Sequence, residues 1–254
     1  MHVNVGGKVV SIIGAAEEEF NGPSGFGCGA CIIDPIVLWT LITRELQEER
    51  DVIVVLHGGI EYEHLPPPWL RKICHWLIHI GVTAVITHHP HVPGYVEVYK
   101  NKPIAWSLGN FWFSEGGGNA FLNQIGYAFE LSFTAGGAIN WKTYPYCSDY
   151  EHGIIREMEL VEAKRWNDLI ADIRNTLEDE ETYEQWWHRV IENKYAGYLT
   201  KYSLAPFPNV AKPALVKLLT LFNIGGKWRL RQLNGLRCRS HRGYRTGRGS
   251  KWRR

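Results

Sequence analysis

Three histidines fall within four positions in Thr87-His88-His89-Pro90-His91, directly after a short apolar run. Neutral imidazole is a good ligand for Zn, Mn, Fe or Ni, and an H-x-H pair in an extended loop, here His89 and His91, can place both rings on one side. Two ligands from one loop lower the ordering cost of a site. The competing reading of the same residues is a polar loop with an incidental excess of histidine. His57 ends an earlier apolar run and is a candidate for the same crevice, because open α/β sheets place their functional crevice at the carboxyl ends of strands.

After His57 come Gly58-Gly59-Ile60-Glu61-Tyr62, where paired glycines let the backbone approach a ligand closely. Glu61 has two readings, a carboxylate that orients a ligand histidine from behind or a solvated loop charge. In Ser107-Leu108-Gly109-Asn110-Phe111 the Asn110 amide could donate to a phosphate or metal-bound oxygen, or simply form a turn. His64, His75 and His79 lie on or near a helical segment and are expected at the surface. Cys28-Gly29-Ala30-Cys31 has C-x-x-C spacing, but no second cysteine pair accompanies it.

The elements that must position these residues alternate between strand and helix. Lys8 to Gly14 is an apolar, β-branched run and reads as a buried strand. Asp34-Pro35 can cap a helix running to about Glu49, packed through Ile36, Leu38, Trp39, Ile42 and Leu46. Asp51 to Leu56 has the continuous apolar character of a strand covered on both faces. Beyond Pro66-Pro67-Pro68, apolar residues recur at helical spacing from Trp69 to Ile80, and Gly81 supplies a stop. Val82 to Thr87 is the next strand, so Asp51 to Thr87 forms a β-α-β unit whose two strands both run into histidine. Ile104 to Leu108 reads as a further strand, and Gly126 to Phe133 alternates as an outer or antiparallel one would. Helical stripes follow over Leu160 to Leu177 and Tyr183 to Ala196. Three prolines over 206–213 mark a boundary before a short helix at Ala214 to Phe222.

At 254 residues the chain can bury a substantial core. Its 45% hydrophobic and 21% charged residues exclude a largely disordered chain. The net charge of +2 conceals an asymmetry: Lys227 to Arg254 holds eleven Lys or Arg and no acid, which leaves 1–226 with a net of −9. That tail mixes Arg with Gly, Ser, Tyr and Trp, a composition able to grip anionic polymer, although charge runs are more often simply solvated. Five cysteines in a chain of this size argue against a disulfide framework. There is no run of eighteen apolar residues and no signal-peptide pattern, so the chain as written is expected in the cytoplasm.

Read together and in order, three segments resemble the CapA family, the poly-γ-glutamate capsule synthesis proteins of the metallophosphoesterase-like superfamily. Asp51 to Tyr62 is similar to that family's strand ending in H-x-G-x-E-Y. Thr87-His88-His89-Pro90-His91-Val92 is similar to its G-H-H-P-H-V, with Thr87 in place of the first glycine. Ile104 to Phe113 is similar to its I-x-Y-S-L-G-N-F-x-F. The resemblance is good from about Lys8 to Phe133.

The resemblance implies an α/β fold, the second half only of a metallophosphoesterase-like αββα sandwich, followed by C-terminal helices. The implied organisation is a partial α/β domain over 1–160, a helical extension over 161–226 and a basic tail over 227–254. The superfamily's first half supplies a D-x-H strand end, further Asp ligands and an Asn-His pair, none of which is found upstream of His57, so an N-terminally truncated member is expected. The resemblance further implies His57, His89 and His91 as ligands to a divalent metal (Mn, Zn or Fe), held as a single ion or lost, with His88 and Asn110 in catalytic roles. The expected activity is metal-dependent phosphoester hydrolysis in cell-surface polymer biosynthesis; the alternatives are a non-catalytic polymer-binding module and an inactive remnant. The expected partners are an anionic polymer or phosphorylated substrate, and a chain supplying the missing half-domain. Nucleic acid is not expected, and membrane association only in a complete relative.

Overall fold

The computed structural model describes residues 1–18, 29–112, 120–134 and 139–198. Cys28, the helix expected at 214–222 and the basic tail lie outside the described residues. Six strands, β1 (His2–Val5), β2 (Lys8–Ala16), β3 (Asp51–His57), β4 (Ala84–His88), β5 (Val96–Tyr99) and β6 (Lys102–Ala105), form one sheet. Its order is β1-β2-β3-β4-β6-β5, with β2, β3, β4 and β6 parallel and the two outer strands antiparallel. The central strand β3 carries a continuous apolar run from Val52 to Leu56, as a strand covered on both faces does. In β3, Val52, Val54 and Leu56 are fully buried, whereas the terminal His57 is exposed.

Helix α1 (Pro35–Gln47) connects β2 to β3, and α2 (Pro68–His79) connects β3 to β4. Asp34 caps α1: its Oδ1 accepts from the amides of Ile36 at 2.8 Å and Val37 at 3.2 Å, and Pro35 occupies the first turn without a missing donor. The buried stripe of α1 is Leu38, Ile42 and Glu45. Ile36 and Trp39, expected in the core, are 78% and 49% exposed, because a stripe centred on 38, 42 and 45 turns those neighbours outward. Helix α2 buries Leu70, Cys74, Leu77 and Ile78 and stops ahead of Gly81, whose φ of 117° is accessible only to glycine without strain.

A second, antiparallel sheet contains β7 (Ile125–Phe133), β8 (Ile139–Asp149) and β9 (Ile154–Arg156), in that order. The short α3 (Ala120–Gln124) leads into it, and α4 (Leu160–Glu178) follows it. One core cluster joins the two sheets and α4 through Val96, Ala105, Ile125, Tyr127, Cys147 and Trp166, with the Tyr127 and Trp166 rings edge to face at 5.8 Å. The first compact unit accordingly runs past residue 160 to Asp179. Helix α5 (Glu180–Tyr198) belongs to a second unit and carries a stacked Tyr183–Trp186 pair, 5.5 Å between centroids. No helix among the described residues is long and apolar enough to cross a membrane.

Two buried carboxylates tie these layers together. Glu97 on β5 accepts from Trp106 Nε1 and from His75 Nε2 on α2, both at 2.9 Å, with Arg71 at 3.6 Å. Burial alone would raise its carboxyl pKa, but His75, Arg71 and Trp106 together hold it below the ordinary value. His75 is therefore half-buried and structural, not a surface residue as its helical position suggested, whereas His79 is exposed. Glu45, near the end of α1, accepts from Arg50 and His2, each at 2.8 Å, and from Arg44 at 3.2 Å.

The Arg50 hydrogen bond, followed by that of His2, lowers the Glu45 carboxyl from 4.5 to about 2. A depressed folded-state pKa contributes stability above the unfolded value, and that contribution is lost as pH falls from 4.5 through about 2. Arg50→Ala removes the largest contribution, so its acid-unfolding midpoint, followed by circular dichroism, should move to higher pH. An unchanged midpoint would show that Glu45 has no part in acid stability.

Candidate functional site

Parallel pairing of β3 with β4 sets His57 opposite His88 at the carboxyl ends of the two strands. The backbone continues the pairing past the strands. Gly58 N–H donates to the His88 carbonyl at 2.9 Å, and Tyr62 N–H donates to that of Pro90 at 2.8 Å. The loop after β3 is thereby fastened along the loop after β4. The ring centroids of His57 and His89 lie 5.2 Å apart, and those of His89 and His91 lie 6.0 Å apart. Tyr62, half exposed, lies 6.1 Å from the His91 ring.

The histidine loop is held in a backbone conformation that side chains seldom adopt. His89 has φ of 110° and His91 of 65°, both in the left-handed region. Non-glycine residues are kept there only when surrounding contacts over-determine them, and such positions concentrate at functional sites. The restraint comes from the segment after β6. Ser107 N–H donates to Thr87 Oγ1 at 2.9 Å, its hydroxyl donates to the Val92 carbonyl at 2.6 Å, and Gly94 N–H donates to the Ser107 carbonyl at 2.8 Å. The strand expected over Ile104 to Leu108 stops short: β6 ends at Ala105, and Ser107, itself at φ of 42°, turns the chain toward the histidines.

Asn110, buried beneath this loop, has its amide orientation set by two contacts. Its Nδ2 donates to the Asn123 carbonyl at 3.3 Å, which leaves Oδ1 to accept from His91 Nδ1 at 2.9 Å. Donation from Nδ1 puts the lone pair of a neutral His91 ring on Nε2, the tautomer control usual behind metal-ligating histidines. His88 is half-buried, and burial first, then the neighbouring charge of His57, lowers its pKa from 6.5.

These residues suit a divalent ion in donor chemistry. An imidazole nitrogen ligates at roughly 2.0–2.1 Å, so two ring centres sharing one ion are separated by up to about 6 Å; the His57–His89 and His89–His91 separations fall within that span. A two-ion centre requires bridging carboxylates as well. Among the described residues no three His, Cys, Asp or Glu side chains stand gathered as a ligand cluster. Cys31 is half-buried, and Glu61 is exposed.

Two participants escaped the reading of the sequence. His64, expected at the surface, is half-buried, and its Nδ1 donates to the Pro93 carbonyl at 2.6 Å, latching the two loops a second time. Glu17, one residue beyond β2, is 2% exposed and accepts from Gly59 N–H at 2.7 Å. Its only sequence signal is position: an acid immediately after an apolar strand that ends beside His57.

Comparison with known proteins bears on the same segment. The model of the bacterial capsule synthesis protein PGA_cap family matches residues 40–115. The chain is 35% identical over 88 residues to the PGA biosynthesis protein CapA of Bacillus subtilis (strain 168), covering 35% of this chain and 23% of that protein. It is 34% identical over 92 residues to the capsule biosynthesis protein CapA of Bacillus anthracis, covering 35% of this chain and 22% of that protein. The similarity thus spans less than a quarter of either relative's length.

Burial lowers the His64 pKa from its ordinary 6.5, against the opposing hydrogen bond to Pro93. Below pH 6.5 the unfolded chain binds this proton before the native state does, so native stability should fall as pH drops from 6.5 toward the folded value. Urea titrations at stepped pH should show a shallower fall for His64→Gln; an identical slope would exclude His64 as a contributor. At His89 the backbone gives a separate expectation. His89→Gly relieves the left-handed strain and should melt higher than His89→Ala, by about 1 kcal/mol in stability; equal melting would show that the loop carries no such strain.

Proposed function

We propose, from the premise that residues 40–115 make this chain a member of the bacterial capsule synthesis protein family, CapA-like, that the histidine crevice binds one divalent ion and serves phosphoester hydrolysis in capsule or poly-γ-glutamate biosynthesis. The observation that supports it most is the placement of His57, the last residue of β3, and of His89 and His91, from the segment after β4, at the carboxyl ends of adjacent parallel strands, with the His57–His89 and His89–His91 ring pairs 5.2 and 6.0 Å apart. These three would hold Mn, Zn or Fe through neutral imidazole nitrogens. A bound ion of this kind polarises a phosphoryl oxygen and lowers the pKa of a coordinated water.

The remaining residues act on that site from the protein side. Asn110 is a positioning residue for His91, since its amide is engaged by His91 and Asn123. His88, its pKa lowered first by burial, lies at the carboxyl end of β4 opposite His57, placed to be a hydrogen-bonding partner for a phosphoester oxygen. An anionic phosphorylated substrate or polymer is the matching ligand class. A second reading, a non-catalytic module that binds anionic polymer, is favoured by the absence of a gathered three-ligand cluster among the described residues.

Elemental analysis of the purified chain after incubation with Mn or Zn separates these readings. Wild type should retain near-stoichiometric metal, the His57→Ala/His89→Ala/His91→Ala triple variant should lose it, and hydrolysis of a chromogenic phosphodiester should follow the metal. Wild-type protein that takes up no metal would sink the hydrolase reading in favour of the binding module.

A further inference from the structure

The fixed position of His57 has a source outside its own loop. Glu17 stands at the carboxyl end of β2, one strand over from β3, and its backbone N–H donates to the His57 carbonyl at 2.9 Å. Its side chain then folds under the turn that follows His57, where Oε1 accepts from Gly59 N–H at 2.7 Å in a position 2% exposed. A polar side chain this deeply buried is costly unless its acceptor is hydrogen-bonded, and the Gly59 amide supplies that bond.

Gly58 is shaped to the same contact. A Cβ at Gly58 would lie 2.8 Å from Glu17 Oε1 and 2.9 Å from its Cγ, distances that real side chains essentially never show. Gly59 has φ of 126°, open only to glycine without strain, and a Cβ there would touch the Pro90 ring at 3.4 Å. The paired glycines are therefore explained by what lies on either side of them: the Glu17 side chain from β2, and Pro90 of the histidine loop from β4. Gly58 N–H completes the clamp by donating to the His88 carbonyl.

We infer that Glu17 is a positioning residue: by anchoring the Gly58-Gly59 turn from beneath, its carboxylate sets the direction in which His57 faces His89. Glu17 acts on His57 through the backbone of the turn. The inference rests on the reading of His57 as a ligand only for its consequence in metal affinity; the anchoring itself is independent of any ion. Outer contacts that orient a ligand histidine commonly alter affinity by roughly 10- to 100-fold when removed.

The test uses the full chain as wild type, Glu17→Gln, Glu17→Ala and Gly58→Ala, each checked for native circular dichroism. Two quantities are read: hydrogen exchange of the Gly59 amide by NMR in metal-free protein, and Mn affinity by titration calorimetry. Glu17→Gln keeps an acceptor oxygen and should leave both near wild type. Glu17→Ala should speed Gly59 exchange by about tenfold or more and weaken Mn binding by roughly 10- to 100-fold. Gly58→Ala, which displaces the carboxylate without altering it, should do the same and substitutes for Glu17→Ala if that variant does not fold. Unchanged Gly59 protection in Glu17→Ala and Gly58→Ala would overturn the inference. So would a loss in Glu17→Gln as large as in Glu17→Ala, because that would make the charge, and not the anchor, the operative feature. If wild type binds no Mn, the metal reading fails and Gly59 exchange alone decides the role of Glu17.

Discussion

The parallel register between β3 and β4 governs the arrangement of every candidate residue. Side chains in a strand alternate faces, so a slip of one residue would send His57 and His88 to opposite sides of the sheet and dissolve the crevice. The register is secured by burial: Val54 opposite Val85, and Leu56 opposite Thr87, are held in a layer with almost no solvent access. Only at the last pair does the sequence change from apolar to imidazole, and there the strands meet water. Hydrophobic free energy of the interior thus fixes the geometry of polar groups that contribute little to it.

The loops that continue from these strands are restrained without secondary structure of their own. Backbone amides in them find partners in the neighbouring loop, as Gly58 does with His88 and Tyr62 with Pro90. Ser107 and His64 add side-chain latches, each to a carbonyl of the 88–93 segment. Trp106 connects this apparatus to the interior: fully enclosed, it precedes Ser107 and donates to Glu97, which in turn receives His75 from α2. The histidines at unfavourable φ are therefore supported by a chain of contacts running from the loop to a helix on the sheet. Strain of this kind persists only where many such contacts converge.

Much of this was legible from residue order. Continuous apolar runs located β2, β3 and β4, and the Asp34-Pro35 pair and Gly81 marked helix ends, because those signals depend on local backbone chemistry. Strands β1, β5, β8 and β9 carry no such signal: β1, β5 and β9 are short edge segments, and β8, although central in its sheet, is largely solvent-accessible over its first half, so its strand character comes from the partners it pairs with. The apolar character of Ile36 and Trp39 points to the core, yet both are exposed, because the side of α1 that meets the sheet is decided by the sheet. His75 and His64 looked like surface residues because no local pattern announces a partner twenty-two or twenty-nine positions away.

For the site, the sequence by itself determined that His57, His88, His89 and His91 fall at or just beyond the ends of buried strands, since composition and strand polarity are properties of the chain. What only the tertiary structure decided is which groups hold them: Asn110 behind His91, Ser107 across the 87–94 loop, and Glu17 beneath the turn that carries His57. Each of these contacts joins segments 15 or more residues apart. Hydrogen bonds at such separation depend on the packing of the sheet, and no periodicity in the chain encodes them. The physical reason is the range of the forces: backbone propensity and patterning act over a few residues, whereas orientation of a side chain is fixed by whatever the completed core brings within 3 Å of it.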